Sequence, residues 1–132
     1  MGATPWGNFA PFESSVDAAL QKLRKRVFQS GEYRGSETRP ATDAEALANM
    51  GPDGTSSILD IIFVSESPDF FSVCPLRDAQ LKLLFGTTKP THEMIESNMN
   101  FYEDIERGQG IYIVAYKNGE PSEYFFAGYS FD

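Results

Sequence analysis

The chain holds one cysteine and one histidine, and these two residues bound the chemistry open to it. Cys74 and His92 are the only pair that could form a thiol–imidazole dyad, the imidazole taking the sulfur's proton and leaving a thiolate nucleophile. A predicted helix separates them, and nothing near Cys74 in sequence marks its thiol as activated. A lone cysteine in an apolar strand ordinarily behaves as a small buried hydrophobe. His92 falls at a predicted helix N-terminus, where the helix dipole disfavours an imidazolium, so an exposed polar residue is expected there. A structural or catalytic zinc site draws most of its ligands from cysteine and histidine, and one of each within a chain is too few to assemble the usual sets.

Oxygen chemistry has more candidates. Glu93, Glu96, Asn100 and Glu103 recur at helical spacing, which would place four oxygen donors on one helix face. No D-x-D-x-D-G loop accompanies them, so a solvated acidic face is expected and no metal site is assigned. Asp60 stands inside the apolar run of residues 58–64, ILDIIFV. Within a strand it would share a face with Ile58 and Ile62, and a carboxyl buried there needs donors or becomes a candidate functional acid. If the strand starts later, Asp60 is merely exposed at its end. Lys22, Arg24, Lys25 and Arg26 gather on the polar face of another predicted helix. They form a candidate anion site, or else a solvated face neutralised by the acidic remainder of the chain. Gly108-Gln109-Gly110 follows no strand and opens no helix, so no nucleotide cofactor is expected. Thr55-Ser56-Ser57 resembles no nucleophile elbow.

The elements that must position these residues are organised around a hairpin. Asn118-Gly119 separates two aromatic and β-branched runs, residues 111–117 and 122–129. A type I′ turn needs positive φ at both central residues, which this dipeptide tolerates. Counting outward pairs Lys117 with Glu120, Tyr116 with Pro121, Ile113 with Tyr124 and Ile111 with Phe126. One face then carries Ile111, Ile113, Ala115, Tyr124 and Phe126, and the other Tyr112, Val114, Tyr116, Phe125 and Ala127. Pro121 can donate to no ladder, so the outer side of the second strand is expected to be an edge near Pro121. Two apolar faces need cover on both sides or a partner. Tyr116, Tyr124 and Phe126 are accordingly the candidate interaction surface.

Helices are predicted over 15–30, 43–50, 76–85 and 92–107 from apolar spacing and flanking caps. Residues 58–64 read as a central strand beside the 111 strand, with 70–74 as a candidate antiparallel neighbour. Residues 6–12, WGNFAPF, read as an arm over one sheet face. The expected architecture is one α+β domain spanning 1–132. It has a small antiparallel sheet of three or four strands with helices packed on it.

Charge narrows the function. The net charge is −8, and residues 1–40 carry six basic against four acidic side chains. The acidic remainder would be repelled by a phosphate backbone, so nucleic acid is not an expected partner. No apolar run is long enough to span a membrane, and no leader pattern opens the chain. Met1-Gly2 suggests myristoylation, but Trp6 stands where Ser or Thr is required. With a single cysteine, a cytoplasmic location is expected. Three readings follow. The first is a non-catalytic interaction module, such as an inhibitor or immunity-type partner of a basic protein. The second is a small enzyme or ligand-binding domain with a cleft near Asp60. The third is a homodimer formed through the hairpin.

Overall fold

A computed structural model describes residues 3–131; the Met1-Gly2 motif lies outside them. Strands β1 (Pro5–Pro11), β2 (Phe63–Val64), β3 (Ser72–Pro75), β4 (Gly110–Lys117) and β5 (Glu120–Tyr129) form one sheet in the order β1-β5-β4-β3-β2. The pairings β1–β5 and β5–β4 are antiparallel, whereas β4–β3 and β3–β2 are parallel. The class is α+β as expected, but the sheet is mixed and has five strands among the described residues.

Helix α1 (Val16–Ser30) starts where the Ser15 side chain accepts the Ala18 N–H and stops at Gly31 in the left-handed region. It packs on one sheet face with α2 (Asp43–Met50), capped by Thr42. That core joins Leu20, Leu23, Val27 and Ala46 to Trp6, Ile58, Tyr124 and Phe126. On the opposite face lie α3 (Asp78–Phe85) and α4 (His92–Ser97). There Ile95, Phe101 and Ile105 meet Ile111, Ile113, Phe125 and Ala127. Both hairpin faces are therefore covered from within the chain.

Asn118 and Gly119 take φ of 53° and 79°, as a type I′ turn requires. Lys117 faces Glu120 and Tyr116 faces Pro121, but Ala115 then faces Glu123. Ser122 is the extra residue of a β-bulge. Beyond it Ile113 pairs with Phe125 and Tyr112 with Phe126. A one-residue slip moves every later side chain to the other face. Tyr124 and Phe126 therefore join Tyr112 and Val114, not Ile111 and Ile113.

Four further expectations are corrected. Residues 6–11 are not an arm but most of β1, which pairs with β5 from Pro5↔Tyr129 to Pro11↔Glu123, and Phe12 follows the strand. β5 is thus paired on its outer side from Glu123 to Tyr129, while the expected edge near Pro121 has no β1 partner. Residues 58–64 do not form a central strand: Ile58–Asp60 is a 3-10 turn, and only Phe63–Val64 extends, at the far edge of the sheet. The Ser57 hydroxyl accepts the Leu59 N–H while Asp60 reaches back to Thr55, and this local bonding overrides β propensity. β3 lies between β2 and β4 and runs parallel to both, so the 70–74 segment is not an antiparallel partner. Finally, the 92–107 helix breaks at Asn98, whose backbone is extended and whose amide donates to the Leu84 carbonyl. A short 3-10 helix, Asn100–Asp104, follows. Glu93, Glu96, Asn100 and Glu103 thus do not all share one helix face.

Candidate functional site

The sheet ends at β2, and large apolar side chains collect there in the open. Ile62, Phe63, Phe70 and Phe71 are 49%, 40%, 53% and 37% exposed. Fixed backbone contacts hold them. Phe71 sits in the left-handed region at φ 62°, which a bulky side chain adopts only when its surroundings hold it. Its N–H donates to the Gly108 carbonyl, and its own carbonyl accepts the Ile62 and Phe63 N–H groups. The Ser65 and Ser72 hydroxyls, 2.7 Å apart, and the Asp69 carbonyl tie down the intervening loop. The rings of Phe70 and Phe71 stand beside Phe131, with centroids 6.3 and 4.9 Å away. Acids flank this patch: Asp69 precedes Phe70, Glu66 is exposed in the same loop, and Gln21 bridges Asp17 to the Ile62 carbonyl. Exposed apolar clusters with a polar rim are contact sites more often than accidents.

The sequence-predicted residues are placed differently. Tyr124 and Phe126 are 4% and 0% exposed and belong to the core under α1. They offer no contact surface. Tyr116 remains half-buried, with the Lys89 ammonium 5.8 Å from its ring centroid. Asp60 is wholly buried: one carboxyl oxygen accepts the Thr55 N–H at 2.6 Å and the Thr55 hydroxyl at 2.8 Å, and the other accepts the Ser130 hydroxyl at 2.7 Å. It anchors the 53–60 loop to the end of β5. The four basic residues of α1 do not converge. Lys22 pairs with Glu13 at 2.9 Å, Arg26 donates to the Phe9 carbonyl, and Lys25 is exposed. Arg24 is buried against Asp43 at 3.1 Å. Burial pulls its pKa below the ordinary arginine value, and Asp43 opposes that shift.

The chain matches no family model, no curated protein and no solved structure.

Two of the cavities bear on the Cys74 and His92 readings. Cys74 lines one of about 550 Å³, with Leu76, Phe101 and Ile111 as its apolar floor. Burial raises the thiol's pKa, which disfavours the thiolate. His92 lines another of about 670 Å³ with Tyr116, Ser122 and Glu123. Cys74 and His92 are thus held at different cavities. Among the described residues, no group of three or more Cys, His, Asp or Glu side chains is arranged to hold a metal ion. Sequence reasoning missed the Phe70–Phe71 patch because FFSVC reads as a buried strand. It missed the His92–Glu123 contact because the two residues lie 31 positions apart. Asp69, which bonds the Phe70 N–H after Ser67-Pro68, was the available sign that the chain turns before Phe70.

Proposed function

We propose that this chain is a non-catalytic protein-interaction module, of the kind an inhibitor or immunity-type protein would be, that binds through the open β2 end of its sheet. One observation carries the reading: Ile62, Phe63, Phe70 and Phe71, on the terminal strand and the segments beside it, are each more than a third exposed at the open end of the sheet. β2 is only two residues long, which limits strand addition. The contact is accordingly side chain on side chain. Asp17, Glu66 and Asp69 at the rim, with a net charge of −8, select a partner presenting an apolar segment flanked by Lys or Arg. The same charges disfavour a second copy of this chain.

The test is selection from a random peptide library, with counter-selection against the Phe63→Ser/Phe70→Ser variant. Enrichment of apolar peptides with basic flanks, weakening as salt rises, supports the proposal. Binders that the variant retains, or a concentration-dependent dimer of the wild type abolished by the variant, would overturn it.

A further inference from the structure

Two buried polar atoms without a partner belong to residues of one cavity, beside β1 and at the other end of the sheet from β2. Trp6 is 6% exposed, and its indole Nε1–H has no acceptor among the described residues. The Ser56 hydroxyl is likewise buried and has no partner among them. Both residues line a cavity of about 220 Å³ with Asn8, Val27, Glu32 and Ser57. Trp6 and Ala10 lie in the core under α1, so strand alternation puts Asn8, between them, on that face. The walls are held firmly. The Ser56 N–H donates to Ser130 Oγ, which lies 2.7 Å from the Asp60 carboxyl. The Arg34 N–H donates to the Thr55 carbonyl at 2.7 Å and so ties the segment after α1, which carries Glu32, to the Ser56 loop. Ser56 itself sits at φ 54°, in the left-handed region that serine seldom adopts. Strain of this kind concentrates where ligands are held.

We propose that this cavity binds a small cation that also carries a hydrogen-bond acceptor, as an amino-amide or amino alcohol does. The indole N–H only donates, and the Ser56 hydroxyl and Asn8 amide have donors to add, so one end of the ligand is a carbonyl or hydroxyl oxygen. Among the described residues, Glu32 is the one charged side chain lining the cavity. It follows the C-terminus of α1, where the helix dipole is negative. The other end of the ligand is accordingly an ammonium. A volume of about 220 Å³ exceeds the roughly 30 Å³ share of one water and falls below the about 300–1,000 Å³ of sites for drug-sized ligands. The occupant is a compact molecule, and its site is separate from the apolar β2 end.

Trp6 is the only tryptophan, so a single indole N–H resonance reports on the cavity in an NMR titration. Glycinamide and ethanolamine are the probes, and uncharged acetamide is the control. At least one amine should shift the indole resonance saturably, with acetamide binding at least about tenfold more weakly. Glu32→Gln should weaken that amine by about tenfold or more. Ser56→Gly should weaken it too, with no loss of thermal stability, because glycine adopts the left-handed backbone freely. No saturable shift with either amine would overturn the site and leave the two polar atoms to water. So would acetamide matching the amine, or an amine affinity unchanged in either variant.

Discussion

At the residue scale, buried polar groups here secure the fold. Gly54 shows how closely the Asp60 network is built. Its φ is 73°, and an added Cβ would sit 2.7 Å from an Asp60 carboxyl oxygen and 2.6 Å from the Ser130 hydroxyl. Asp60→Ala would strand the Thr55 N–H away from water, while the Ser130 hydroxyl keeps the Asp53 carbonyl at 3.1 Å. A loss of roughly 3 kcal/mol is expected in urea unfolding, with a lower midpoint and an unchanged slope. Arg24 poses the converse problem, a buried cation whose partner Asp43 lies at the surface. Asp43→Ala leaves that charge uncompensated and should cost about 1–3 kcal/mol, whereas Arg24→Met with Asp43→Ala should recover much of the loss in the same assay. For His92 the sign follows from its raised folded-state pKa. Its contribution to stability is complete below the unfolded-state value near 6.5 and disappears as pH rises through the higher folded-state value. Thermal midpoints of the wild type should therefore fall over that interval relative to His92→Gln, as calorimetry across pH would show.

At the element scale, the bulge at Ser122 decides which hairpin side chains meet which helices. Both runs are apolar on both faces, so hydrophobic pattern alone tolerates either register. Pro121 stands in the last regular pair on the turn side of the bulge. It has no N–H to donate, and the opposed Tyr116 N–H turns outward to the Pro90 carbonyl at 2.8 Å. Phe126 ends under α1 with no exposure. Phe126→Ala should accordingly cost about 3–5 kcal/mol by opening a core cavity. The folded fraction should keep its full affinity for a selected peptide, measured by titration under native conditions. A core role and a contact role are thereby separated in one variant.

At the scale of the whole molecule, helices cover the sheet on both faces and its end is left open. The Phe63→Ser/Phe70→Ser variant should lose roughly 2–4 kcal/mol of unfolding free energy, because each ring is still about half buried, so its affinity is read on the folded fraction. Its peptide affinity should nevertheless fall by at least about tenfold, since apolar anchors dominate such contacts. Among the described residues, no helix is long and apolar enough to cross a membrane. With both hairpin faces filled from within, the hairpin presents no apolar face for a homodimer.

The sequence by itself determined what depends on near neighbours. Ser15 and Gly31 bound α1, Thr42 starts α2, and Asn118-Gly119 makes the turn, because caps and turns are set by side chains close in sequence to the backbone they serve. The charge balance and the scarcity of Cys and His were legible for the same reason, being properties of composition. The tertiary structure alone decided what depends on distant partners. It made residues 5–11 a strand by offering them the free edge of β5, and it let the Asp60 network turn a β-branched run into a 3-10 turn. It brought His92 to Glu123 and left Phe70 and Phe71 outside. Apolar residues prefer burial wherever they lie in the chain, but a small sheet with two covered faces still has ends. Which side chains occupy them depends on strand order, which no local pattern specifies.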